Sequence, residues 1–107
     1  MTPELIKTLN RLEDSHAYVL VDSNEKILGL GVLLIENKFI HECGKVGHLV
    51  ELQGEDEIVR SKLTRHLCDC AKELGCYKTI LNCAEEQQSF FQQQGFVYKG
   101  AMMTIER

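Results

Sequence analysis

The segment from Glu55 to Leu74 constrains the fold more than any other part of the chain. Val59, Leu63, His66, Leu67, Cys70, Ala71 and Leu74 recur at helical spacing and form one stripe. Gly75 follows, a residue free to turn left-handed and end the helix. A helix that is apolar on one side has to bury that side against another element. The runs around it are strand-like: Ala17 to Asp22, Ile27 to Glu36 and Val46 to Leu52 before it, Cys76 to Cys83 after it. "DSNEK" makes the first turn between strands, and "NKFIHECGK" is a long hairpin connection. Thr2-Pro3-Glu4 has the pattern of a helix start, with Leu5, Ile6, Leu9 and Leu12 at helical spacing, so a first helix is expected over Pro3 to Leu12. A short polar helix is expected over Ala84 to Gln94, stopped by Gly95, then a final strand or strand pair over Phe96 to Glu106. The order implies one α+β (mixed α/β) domain over residues 1–107, built around a central sheet.

Composition narrows the partners. A chain of 107 residues buries a modest core, so a dimer that hides more surface is an expected source of stability. The net charge is −4 and no basic run occurs, which argues against nucleic acid as the partner. The cysteines (Cys43, Cys68, Cys70, Cys76 and Cys83) are odd in number and include no C-x-x-C pair. Free thiols in a reducing compartment are therefore expected, and no metal site. No apolar run is long enough to span a bilayer, and residues 1–12 carry no apolar signal region. The expected location is the cytoplasm, with no membrane association.

Three stretches carry a resemblance. "LLIENKFIHECGKVGH", "KELGCYKTILNC" and "FFQQQGF" resemble the glucosamine-6-phosphate N-acetyltransferase family of the GNAT superfamily, and the likeness runs from about residue 5 to residue 103. The resemblance implies a GNAT fold, a mostly antiparallel sheet with a V-shaped gap for the pantetheine arm of acetyl-CoA. It implies acetyl transfer from acetyl-CoA to the 2-amino group of glucosamine 6-phosphate, in a homodimer. It also implies that a strand and a helix of the superfamily, which precede the helix expected at Pro3 to Leu12, have no counterpart here.

Several positions depart from the family pattern. Where the family has a glycine-rich pyrophosphate loop, this chain has a shorter stretch, Gln53-Gly54-Glu55-Asp56-Glu57. Glycines let backbone N–H groups converge on a phosphate, and a helix N-terminus adds a positive field. Acids in that first turn suit the helix dipole but repel a pyrophosphate. The family's Glu-Asp pair becomes Val50-Glu51, and its Phe-Tyr pair becomes Phe90-Phe91, so Phe91 keeps the ring without the proton donor. Asn82 and Gln87 replace a family Asp and Asn.

Carried over residue by residue, the resemblance makes Glu51 the catalytic candidate, orienting or deprotonating the substrate ammonium. Leu52, Gln53, Gly54, Asn82, Gln87 and Phe91 become the candidates for holding acetyl-CoA. Lys38, His41 and Glu51 become those for the sugar phosphate, because a phosphate wants cationic donors. Three readings remain open at this point: a working acetyltransferase with a minimal cofactor site, a non-catalytic relative that binds a sugar phosphate or dimerises, and an acyltransferase whose donor lacks the 3′-phospho-ADP end. Solvated or packing roles are the alternative for each polar residue, His48 and His66 in particular.

Overall fold

The computed structural model of the chain describes residues 5–11, 14–38, 44–100 and 103–106. Five strands form one sheet in chain order: β1 (Leu5–Arg11), β2 (Ser15–Val21), β3 (Ile27–Asn37), β4 (Lys45–Gly54) and β5 (Cys76–Leu81). The first four run antiparallel to their neighbours. β5 runs parallel to β4, a geometry that requires a crossover. Helix α1 (Glu57–Glu73) supplies it, and a 3-10 turn (Glu85–Gln87) leads from β5 into the short helix α2 (Gln88–Gln93).

The stripe read from the sequence is the face α1 buries. Val59, Leu63, Leu67 and Ala71 are all buried. Fully burying a side chain of the Leu or Val class contributes about 1.5–3 kcal/mol. The sheet accommodates the helix by omitting side chains beneath it. A Cβ on Gly29 would lie 2.7 Å from Val59 Cγ1, and one on Gly31 2.7 Å from Leu67 Cδ1. Asp56 caps the helix, its carboxylate accepting the Val59 N–H at 2.9 Å. Gly75, at φ 90°, follows its C-terminus as expected. His66 is a packing residue: its ring stands edge-on to Tyr18 with centroids 4.6 Å apart, and Nε2 lies 3.4 Å from Cys70 Sγ.

Two expectations are corrected. Residues 5–11 of the anticipated first helix form β1, an edge strand that pairs with β2 from Leu5↔Val21 to Arg11↔His16. Of the apolar residues that suggested a helix there, Ile6 packs on the core, whereas Leu5 and Leu9 are exposed. The backbone groups on the free side of β2 therefore outweigh a marginal helix pattern, as tertiary pairing commonly does. This strand also occupies the edge of the sheet that the resemblance left empty. The anticipated final strand is absent among the described residues 96–100 and 103–106. Val97, Met103 and Ile105 are exposed there, and an alternating pattern without a neighbouring strand to pair with does not make one.

Candidate functional site

The site is set by where β5 stops accompanying β4. The last residues paired between these strands are Leu49 and Leu81. β4 continues to Gly54, paired on its other side with β3 as far as Gly29↔Gly54. Among the described residues no strand runs beside Val50–Gly54 on the β5 side. The parting coincides with a bulge: Val32 pairs with Glu51 and Leu33 with Leu49, leaving Val50 as the extra residue. Bulges bend a strand and end pairing, and they concentrate beside functional sites. The result is an open strand edge that fits an extended amide chain, which pairs with backbone and makes little demand on side chains. That is the chemistry of a pantetheine arm.

The candidates on β4 sort themselves by the pleat. Leu52 is half-buried and packs on the core under α1. Glu51 and Gln53 are both exposed, and Gln53 Nε2 donates to Glu51 Oε1 at 2.8 Å. Glu51 thus stands on the segment where the sheet opens, held by a neighbour two residues away. Asn82 follows directly after Leu81, at the mouth of the same opening, and is exposed. Gln87 accepts the Ala84 N–H at 3.2 Å, closing the turn that starts α2. Phe91 is 9% exposed, its ring edge-on to Phe90 at 5.0 Å and to Phe96 at 5.8 Å. It packs α2 against Phe96, which lies on the core.

Part of the start of α1 is tied up within the chain. The Glu55 N–H donates to Leu28 O at 3.0 Å, the Val59 N–H to Asp56 Oδ1 and the Arg60 N–H to Asp56 O at 3.1 Å. Arg60 Nη1 donates to Gly54 O at 3.1 Å, and the guanidinium lies 5.8 Å from the centre of the Phe90 ring. A Cβ on Gly54 would lie 2.7 Å from Arg60 Cγ, so the glycine makes room for this arginine. Lys26 approaches Glu55 at 3.7 Å. The sequence does not reveal that Arg60 ties β4, α1 and α2 together; its partners depend on how the elements meet. Acetyl-CoA therefore fits in part. The β4 edge suits its pantetheine arm, but the loop does not suit its pyrophosphate, because Glu55, Asp56 and Glu57 add negative charge and the Glu55 and Val59 N–H groups are engaged.

The sugar-phosphate candidates do not converge within the chain. Lys38 extends from the far end of β3, where Asn37 pairs with Lys45. Glu51 lies six residues beyond Lys45 on β4, a run of roughly 20 Å. Lys38 Nζ is also paired with Glu36 Oε2 at 3.0 Å, while Glu36 Oε1 lies 2.7 Å from His48 Nε2. Hydrogen bonds from His48 and then Lys38 hold the Glu36 carboxyl below its usual range. This cluster spans two strands and was not legible from spacing alone. His41 lies outside the described residues.

The cysteines are consistent with the thiol reading. Cys68, Cys70, Cys76 and Cys83 are free, and burial pushes the Cys68 and Cys76 thiols upward, away from the reactive thiolate. Cys43 lies outside the described residues. Among the described residues no His, Cys, Asp and Glu cluster could hold a metal ion. No helix among them is long and apolar enough to cross a membrane.

No protein-family model matches the chain. It is 35% identical over 105 residues to the probable glucosamine 6-phosphate N-acetyltransferase 2 of Oryza sativa subsp. japonica, covering 91% of this chain and 63% of that relative. It is 31% identical over 111 residues to glucosamine 6-phosphate N-acetyltransferase 1 of Dictyostelium discoideum, covering 95% of this chain and 71% of the relative. The crystal structure of glucosamine-6-phosphate N-acetyltransferase from Arabidopsis thaliana superposes with a TM-score of 0.81 at 31% identity, covering 87% of this chain and 67% of that one. The chain thus spans less than two thirds of the length of the Oryza relative. With the five-stranded sheet, its parallel β4–β5 pair and the opening at Glu51 already established, these likenesses show that the chain belongs to the glucosamine 6-phosphate N-acetyltransferase family.

Proposed function

We propose that this chain transfers an acetyl group from acetyl-CoA to the 2-amino group of glucosamine 6-phosphate. The observation that carries the reading is Glu51 on the open edge of β4, just past the point where β5 leaves it. Acetyl-CoA supplies the acetyl group as a thioester. The free edge of Val50–Gly54 takes the arm by backbone pairing. The Glu51 carboxylate receives the substrate ammonium, fixes its orientation and accepts its proton, so that the amine lone pair is available. Gln53 holds the carboxylate in place. The acetyl carbon exchanges its bond to sulfur for a bond to nitrogen, and the CoA thiolate leaves, taking up the second proton that the nitrogen sheds.

A phosphate on the same small sugar as that amine needs a cation near Glu51. Lys38 of the same chain stands at the other end of β4. We therefore assign the phosphate to Lys38 and His41 of a second copy, in a homodimer. The exposed apolar residues Val97, Tyr98, Met103 and Ile105 are candidates for the surface such a dimer covers. The free thiols fit a cytoplasmic location.

The test is a thiol-release assay with acetyl-CoA, with and without glucosamine 6-phosphate. Sugar-dependent release that Glu51→Ala lowers by about 10²-fold or more is the expected result. Absence of sugar-dependent release, with sugar-phosphate binding retained, would leave a non-catalytic binding protein instead.

A further inference from the structure

We propose that this chain recognises its acyl donor as a pantetheine thioester and makes no favourable contact with the nucleotide end of CoA. The inference rests on the acyl-transfer reading above and specifies the donor class. It begins with the direction of the arm. The open edge of β4 is closed at Leu49 by the pairing with β5, so an arm lying along Val50–Gly54 with its thioester at the opening sends its other end out past Gly54. In CoA that end carries a pyrophosphate and a 3′-phosphate. It would arrive at Glu55, Asp56 and Glu57.

Part of what makes a helix start attractive to phosphate is taken up within the chain. Asp56 accepts the Val59 N–H through its carboxylate and the Arg60 N–H through its carbonyl, and the Glu55 N–H is bonded to Leu28 O. The nearest guanidinium, Arg60, donates to the Gly54 carbonyl and rests against Phe90. A polyanion entering there meets three carboxylates at a helix end whose positive field Asp56 already satisfies. The neutral part of the donor meets none of this, because backbone pairing on β4 needs only amides. Thioesters of free pantetheine, of 4′-phosphopantetheine and of CoA share that neutral arm and differ in the charge that follows it.

The test measures binding of S-acetylpantetheine, S-acetyl-4′-phosphopantetheine and acetyl-CoA by calorimetry, without sugar. Expected dissociation constants agree within about threefold, or favour the uncharged donor, at low salt. Added salt should screen the acids and tighten acetyl-CoA while leaving S-acetylpantetheine unchanged. The triple substitution Glu55→Gln, Asp56→Asn and Glu57→Gln keeps a competent helix cap and should tighten acetyl-CoA alone. A preference for acetyl-CoA of about tenfold or more, the scale of charge-assisted hydrogen bonds to phosphate, overturns the proposal. So does failure of all three donors to bind. Equal binding of the donors without sugar-dependent turnover would uphold it and refute glucosamine 6-phosphate as the acceptor.

Discussion

Along β4, the half from Lys45 to Leu49 is paired on both sides, whereas the half from Val50 to Gly54 is paired only with β3. In the first half Val46 is 0% exposed and Leu49 8%; in the second Val50 is 54% exposed. One strand thus serves two purposes. The doubly paired half supplies core positions, Val46, Gly47 and Leu49, which are fixed by packing. The singly paired half offers backbone and two polar side chains, Glu51 and Gln53, on a rigid support. A site built this way obtains its precision from the covered half. The bulge at Val50 marks the change and lets pairing with β5 end without disturbing the pairing with β3.

The contrast breaks most visibly in stability. Leu33, opposite Leu49 and fully buried, should lose about 2–5 kcal/mol on Leu33→Ala. Val50→Ala on the open half should stay within about 0.5 kcal/mol. Urea unfolding of both variants measures the difference, and equal losses would mean that the open half is covered in solution.

Glu51→Ala should give the opposite pattern. Sugar-dependent turnover is expected to fall by about 10²-fold or more while the melting temperature is unchanged, since the side chain is exposed. A variant that melts earlier and keeps its rate would make Glu51 a structural residue.

The start of α1 sharpens the comparison from the other end. Asp56→Ala should cost about 0.5–2 kcal/mol by removing the cap to the Val59 N–H, and Asp56→Asn much less. Thermal unfolding of the pair separates capping from charge. If both cost the same, charge at the loop, rather than the cap, holds the helix end.

The smallest effect belongs to the hairpin end of β3. The folded-state pKa of Glu36 lies below its ordinary value, with the His48 and Lys38 hydrogen bonds as causes. A depressed carboxyl contributes stability above the ordinary carboxylate range, and this is lost as pH falls through the lowered value. Glu36→Gln should therefore cost slightly more at neutral pH than in acid, with the gap closing below the ordinary range. A gap independent of pH, measured by unfolding at several pH values, would show that the ion pairs contribute nothing. The Glu36 side chain is 42% exposed, so the effect is small.

The helix and most strands were legible because their signals are local. The α1 stripe, its Gly75 stop and the runs that became β2 through β5 follow from residues a few positions apart. Residues 5–11 were misread because helical spacing and edge-strand pairing are both available to them, and only the backbone of β2 decides. The final stretch was misread for the complementary reason, an alternating pattern with no strand beside it among the described residues. Glu51 stands out in the sequence only through the family resemblance of the stretch before it, "LLIENKFIHECGKVGH". The separation of Lys38 from Glu51 and the Arg60 bridge to Phe90 involve residues whose spacing in sequence says nothing about their distance in space.

By itself the sequence determined the fold class, the position of the crossover helix and the acid content of its first turn, since each depends on side chains and their local period. Only the tertiary structure decided that the edge of β4 opens at Val50, that the Glu55 N–H is bonded to Leu28 and the Arg60 guanidinium to Gly54, and that Lys38 and Glu51 stand apart. Each of these is a relation between strands or helix ends, and backbone hydrogen bonds, which every residue carries alike, leave no mark in the sequence of side chains.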